Sequence, residues 1–64
     1  MRLDRIKLIC EMAKRDMTAI QLAKKSGVAR ATITGVRSGK SCNDQTGAKI
    51  ARALGVDIND LVEN

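Results

Sequence analysis

The chain has 64 residues, with 12 Lys or Arg against 7 Asp or Glu and a formal net charge of +5. This length allows one domain, and an apolar content of 44% is too high for a disordered chain. Because there is no histidine, the two cysteines cannot complete a four-ligand zinc site, and a cysteine nucleophile would lack a histidine base. We therefore expect no metal, no cofactor and no catalysis.

The first predicted helix runs from about Leu3 to Lys14. Four apolar residues at spacings of three and four predict its inward face: Ile6, Ile9, Met12 and Ala13. Leu8 and Cys10 fall at the margins of that face. Because residues 1–17 carry charges throughout, they do not resemble a signal peptide, and no stretch approaches the ~18 apolar residues of a membrane span. The sequence thus predicts a cytoplasmic protein without a membrane contact.

Both cysteines are predicted to be free thiols in a reducing compartment, because their number is too small for a secreted disulfide scaffold. Cys10 is interpreted as a small apolar residue at the margin of the core. Cys42 lies in a polar loop, where its thiol is expected to be open to reaction.

Thr18 is a predicted N-cap for a second helix from Ala19 to about Lys25, because a hydroxyl can accept from a backbone N–H one turn on. Gly27 then supplies a left-handed stop. A third helix follows over 30–37. Its inward side and the turn before it are predicted to bury three residues, namely Val28, Ile33 and Val36. Gly39 ends this helix.

A polar loop over 40–44 leads to a fourth predicted helix, roughly Gln45 to Ala53, capped by Asn43 or Asp44. Its inward residues are Ile50, Ala51 and Leu54. Asp57 caps a final short helix through about Val62, which is expected to bury Ile58, Leu61 and Val62. Five short helices define an all-α, compact single domain over residues 1–64. The two helices on either side of Gly27 form a helix-turn-helix over about 18–37.

The positive charge is concentrated in one part of the chain. From Lys14 to Lys40 there are seven basic residues and one acid, a net of +6, whereas residues 41–64 carry a net of −2. A duplex carries a dense phosphate charge, so a basic helix-turn-helix favours double-stranded DNA as the partner. The alternative is an ordinary solvated basic surface.

The stretch from Thr18 to Lys40 reads TAIQLAKKSGVARATITGVRSGK. It resembles the Cro/CI-type (XRE-family) helix-turn-helix regulators of phages and bacteria, in its Leu22-Ala23 pair, its turn glycine, the apolar Val28 and Ile33, and its closing Gly39-Lys40. The similarity continues through KIARALGVDINDLVEN. It implies a five-helix, lambda-repressor-like DNA-binding domain and a role in transcription regulation.

Several positions depart from the family pattern. Ala29 stands where the family usually has a Ser or Thr cap for the third helix, and Gly35 interrupts that helix. Ala19 replaces a frequent Gln, and Gly47 replaces a usual apolar residue. Many members pair an Arg in helix 1 with a Glu late in helix 3, but here those positions are Met12 and Arg37. We therefore predict that Arg37 contacts phosphate.

The resemblance implies that the third helix enters the major groove, with the residues near its start reaching the bases. The predicted base contacts are Arg30, Ala31, Thr34 and Gly35. The predicted DNA-backbone contacts are Thr18, Thr32, Arg37, Lys40, Ser41 and Asn43. Arg30 is the leading base reader, because its guanidinium can donate twice to guanine O6 and N7, although contact with phosphate alone stays open.

The expected function is a sequence-specific transcriptional regulator that acts as a repressor, not an enzyme. The first alternative is the antitoxin of a toxin–antitoxin pair, which would bind DNA and a toxin protein. A second is an interaction module that does not bind DNA. Regulators of this type usually bind as symmetric homodimers. Val56, Ile58 and Val62 are predicted to form the dimer surface, unless they only fill the core.

Overall fold

The computed structural model describes residues 1–63, which form four α-helices and one 3-10 turn. These are α1 (Arg5–Lys14), α2 (Ala19–Ser26), α3 (Arg30–Arg37), α4 (Asp44–Leu54) and the 3-10 turn Ile58–Asp60. Within this range the only β pairing is an isolated antiparallel bridge between Leu3 and Val62. The all-α prediction is confirmed, and the count of five elements holds when the 3-10 turn is included.

The core is made of apolar side chains from all four helices and from both ends of the chain. The buried apolar residues are Leu3, Leu8, Met12, Leu22, Val28, Ile33, Val36, Ile50, Ala51, Ala53, Leu54 and Leu61. The inward residues predicted for the third and fourth helices are all in this set. The helix-turn-helix therefore packs as its apolar spacing indicated.

The inward face predicted for α1 is right at Met12 but wrong at Ile6 and Ala13. Leu8 and Met12, one turn apart, are buried, whereas Ile6 is 57% exposed and Ala13 is also exposed. Ile9 is half-buried, and Cys10 is exposed rather than at the core margin. Because apolar residues occupy more than half of this helix, two different stripes fit the helical period. Packing against the other helices selects the one through Leu8.

Side-chain caps explain where α1, α2 and α4 begin. The helix α1 starts after Asp4, later than predicted, because the Asp4 carboxylate caps it by accepting from the Ile6 and Lys7 amides at 2.9 and 3.1 Å. At the start of α2, Thr18 Oγ1 accepts from the Gln21 amide and Gln21 Oε1 accepts from the Thr18 amide, a capping box. Asn43 caps α4 by accepting from the Thr46 amide at 2.7 Å.

The last predicted helix is shorter than expected. Asp57 does cap it, accepting from the Asn59 amide at 2.8 Å, but only the 3-10 turn Ile58–Asp60 follows. The chain then bends to pair with the segment before α1. The Asp4 amide donates to Leu61 O at 2.7 Å and the Glu63 amide donates to Arg2 O at 2.9 Å. This pairing ends the helix before Val62.

Gly47 leaves space on α4 that another part of the chain fills. A Cβ at this position would collide with the Met1 sulfur and would lie 3.3 Å from Ile58 Cδ1. The Met1 side chain therefore takes the place of the apolar side chain that the family pattern puts at position 47.

Candidate nucleic-acid interface

The outer sides of α2 and α3 form a shallow groove with the turn after α3. It is lined by Thr18, Ala19, Ile20, Arg30, Ala31, Thr34, Gly35, Ser38 and Lys40. The helix-turn-helix angle creates this groove, because Gly27, at φ 75°, turns the chain sharply between the two helices.

A second groove adjoins the first on the other side of Lys40. Its lining comes from α3, the polar loop and the first turn of α4, and consists of Ala31, Thr32, Gly35, Val36, Lys40, Ser41, Cys42, Asn43 and Thr46. Ala31, Gly35 and Lys40 line both grooves. The two grooves thus form one continuous surface along α3.

The structure brings together nine of the ten predicted contact residues on this surface. The four predicted base contacts Arg30, Ala31, Thr34 and Gly35 line the first groove, together with Thr18 and Lys40. Thr32, Ser41 and Asn43 line the second. What each of them contacts on a ligand stays a prediction.

Arg37 lies apart from the other nine residues. It is the last residue of α3, it is half-buried and it lines neither groove. Its Nε is buried without a hydrogen-bond partner within the described part of the chain. The predicted phosphate contact of Arg37 would have to be made from the edge of the surface.

The two sides of α3 differ sharply. Ile33 and Val36 are buried, at 0% and 1% exposure, while Arg30, Ala31 and Thr34 are exposed. The start of the helix has no side-chain cap, because Ala29 offers no acceptor. Its first backbone N–H groups consequently remain available at the end of the helix that carries Arg30.

The basic residues at the end of α1 form ion pairs, whereas those of the grooved surface form none within the described residues. Glu11 accepts from Arg15 at 2.8 Å and from Lys14 at 3.1 Å. These hydrogen bonds, that of Arg15 first, lower the pKa of the Glu11 carboxyl. Arg30 and Lys40 form no ion pair with any other residue in the range 1–63. The positive charge on the grooved surface is therefore available to an anionic partner.

Sequence reasoning missed three residues of this region. Ile20, an apolar residue of α2, is not among the predicted contacts, but it is 48% exposed and lines the first groove. Ser38 also lines it, with its hydroxyl donating to Thr34 O at 3.0 Å. Arg2 braces the turn after α3, since Nε and Nη2 both donate to Gly39 O, at 3.1 and 2.9 Å. The sequence gave a signal only for Ile20, which lies two residues before Leu22, so the helical period puts it on the side of α2 opposite that inward leucine.

A model of the Cro/C1-type HTH DNA-binding domain matches residues 5–63. The fold and this surface define a helix-turn-helix DNA-binding domain. The chain belongs to the Cro/C1-type family of such domains, as its resemblance to that family predicted.

Two solved structures are similar in fold to the whole chain. One is described as native PhpD with cadmium atoms, at a TM-score of 0.86 and 26% identity. The other is described as PhpD with cadmium complexed with hydroethylphosphonate, at a TM-score of 0.85 and 26% identity. The chain spans 14% of the length of each of these proteins. No curated protein matches the sequence.

No group of three or more His, Cys, Asp or Glu side chains among residues 1–63 is placed to hold a metal ion. None of the helices described is both long enough and apolar enough to cross a membrane.

Proposed function

We propose that this protein is a sequence-specific transcriptional repressor that inserts α3 into the major groove of double-stranded DNA. The observation that carries the proposal is the grooved surface itself, where nine predicted contact residues lie together, among them the two cations without an ion pair within residues 1–63, Arg30 and Lys40. A short helix with one buried and one polar side fits the width of the major groove. The protein acts by binding, not by catalysis.

The exposed side of α3 provides the base contacts. Arg30 donates twice to guanine O6 and N7, and such a contact contributes about 1–3 kcal/mol of discrimination against other bases. Ala31 and the methyl group of Thr34 contact thymine methyl groups. Ile20 enlarges this apolar area, because it is exposed in the same groove.

The residues around α3 hold the phosphates. The Thr18 amide is already bonded to Gln21, so the free donors at the start of α2 are the Thr18 hydroxyl and the Ala19 and Ile20 amides. A helix start favours an anion. On the other side of α3, Ser41 and the amide NH₂ of Asn43 provide further donors, and Thr32 lies between them and the bases.

We propose that the protein binds two half-sites of its operator as a homodimer. Val56, Ile58 and Val62 are half-buried and pack against the core, so each retains apolar surface for a second copy. A two-fold dimer would place two α3 helices one DNA turn apart, on a palindromic operator.

The test is binding of the purified protein to the DNA upstream of its own gene and to a scrambled duplex, at several salt concentrations. We expect tighter binding to the upstream DNA, with affinity that falls steeply as salt rises. Arg30→Ala should lose about 1–3 kcal/mol of preference for the upstream DNA. Arg52→Ala removes the same charge from α4, outside both grooves, and should keep that preference.

Equal and weak binding to both duplexes would contradict the proposal. So would an Arg52→Ala variant that loses as much preference as Arg30→Ala, because the effect would then come from net charge. The ratio of protein to duplex at saturation tests the dimer.

An antitoxin is the second candidate, and one observation favours it. On the outer side of α1, Ile6, Cys10 and Ala13 are exposed at spacings of four and three, which gives an apolar strip away from the grooved surface. A toxin bound there would leave the DNA surface free. A stable complex with the product of an adjacent gene, lost on Ile6→Asp but not on Arg30→Ala, would support this function.

A further inference from the structure

Gly35 is half-buried on the grooved side of α3, where a side chain would be expected to face the DNA. Glycine at a helix interior costs roughly 1 kcal/mol relative to alanine, so its presence needs a reason. A Cβ at this position would lie 3.3 Å from Lys40 Cδ and 3.9 Å from Lys40 Cβ. The Lys40 stem therefore crosses α3 through the space that a side chain at position 35 would use.

The backbone on both sides of Lys40 is held by hydrogen bonds. The Lys40 amide donates to Gly35 O at 3.0 Å, and the Cys42 amide donates to Met1 O at 2.8 Å. The Gly39 carbonyl accepts twice from Arg2. The backbone at Lys40 is thus held before DNA binds, which reduces the conformational entropy that this loop loses on binding.

Lys40 is central in the grooved surface rather than at its edge. It lines the first groove together with Arg30 and Thr34, and the second together with Thr32 and Asn43. It is exposed, and no carboxylate in the described range 1–63 pairs with it. Its ammonium group is therefore free to donate to a ligand that α3 meets.

We propose that Lys40 reads a base pair in the major groove, replacing the side chain that Gly35 lacks. The inference rests on the proposed binding of DNA by α3. Lysine donates to guanine O6 and N7, so the base recognised is a guanine, at a pair next to the one that Arg30 reads. Lys40 would then determine specificity, instead of only holding the DNA backbone as the sequence analysis predicted.

The experiment is selection from duplexes with a randomised segment, followed by affinity measurements with each base at each selected pair. The matched variants are Lys40→Met, which keeps most of the stem, and Lys49→Met on α4, outside both grooves. We expect Lys40→Met to lose about 5- to 150-fold of preference for guanine at one pair. Lys49→Met should retain the wild-type preference at every pair.

Gly35→Ala provides a second, independent test. An added Cβ would lie 3.3 Å from Lys40 Cδ, so the Lys40 stem must shift by a few tenths of an ångström, while alanine keeps α3 helical. The preference at the same pair should therefore fall, and that at the Arg30 pair should remain. Circular dichroism would verify that the variant is folded.

The outcomes are distinguishable. If Lys40→Met weakens every duplex equally and lowers the dependence of log affinity on log salt by about one, Lys40 contacts phosphate and the inference is overturned. Unchanged base preference in Gly35→Ala would also overturn it. If the wild-type protein selects no sequence, the proposed function itself fails.

Discussion

The start of α2 is held by nearby residues, whereas the segment leading into α1 is held by distant ones. Thr18 and Gln21 close the start of α2 by reciprocal hydrogen bonds three residues apart. Before α1, by contrast, Arg2 donates to Gly39 O and the Asp4 amide donates to Leu61 O. The start of α2 thus forms from local interactions, while the segment before α1 is placed only in the assembled domain.

The largest change in stability is expected in α1, where it tests which side of this helix faces the core. Leu8 is fully buried, so Leu8→Ala should lower the free energy of unfolding by about 2–5 kcal/mol. Ile6 is 57% exposed, and Ile6→Ala should change it by no more than about 0.5 kcal/mol. Urea unfolding followed by circular dichroism measures both. A larger loss in Ile6→Ala than in Leu8→Ala would mean that α1 packs through the opposite face.

A smaller change in stability is expected at the start of α3, which, unlike the start of α2, has no side-chain cap. Ala29→Ser provides an acceptor for the first amides of α3 and should raise the free energy of unfolding by about 0.5–2 kcal/mol. Ala48→Ser is the matched control, because Ala48 is exposed inside α4, where serine lowers helix propensity slightly. An Ala29→Ser protein no more stable than Ala48→Ser would refute the role given to this position.

The same contrast explains what could be predicted from the sequence. The α2–α3 unit could be placed because Thr18, Gly27 and the apolar spacing of Val28, Ile33 and Val36 are local signals with a direct structural meaning. Nine of the ten predicted contact residues fall on one surface for the same reason: they lie on or beside α3.

What could not be predicted depends on long-range packing. Nothing near Leu8 in the sequence distinguishes its stripe from that of Ile6, and only contact with the other helices selects it. The filling of the space at Gly47 by Met1 joins residues 46 positions apart, and the bracing of Gly39 by Arg2 joins residues 37 apart. The contact between Gly35 and Lys40 spans only five residues, but it depends on how the chain turns after α3.

The two cysteines provide the smallest expected effect, because the structure reverses the environment expected for each. Cys10 on α1 is exposed, whereas Cys42 beside α3 is half-buried. Burial, aided by the nearby Asp44 carboxylate and opposed by the Met1 ammonium group, raises the pKa of the Cys42 thiol. Since the thiolate is the reactive form, Cys10 should react several-fold faster than Cys42 with a thiol reagent at neutral pH.

Single-cysteine variants separate the two rates, with Cys42→Ser reporting Cys10 and Cys10→Ser reporting Cys42. The raised pKa of Cys42 also determines how stability depends on pH. Because the folded state favours the neutral thiol, Cys42 contributes to stability below the pKa that this thiol has in the unfolded chain. That contribution is lost as pH rises through the folded pKa. Alkaline pH should therefore lower the free energy of unfolding more in Cys10→Ser than in Cys42→Ser. Equal reaction rates of the two thiols, with equal losses of stability at alkaline pH, would show that the loop beside Lys40 opens readily. The backbone at Lys40 would then not be fixed, although base reading by Lys40 depends on it.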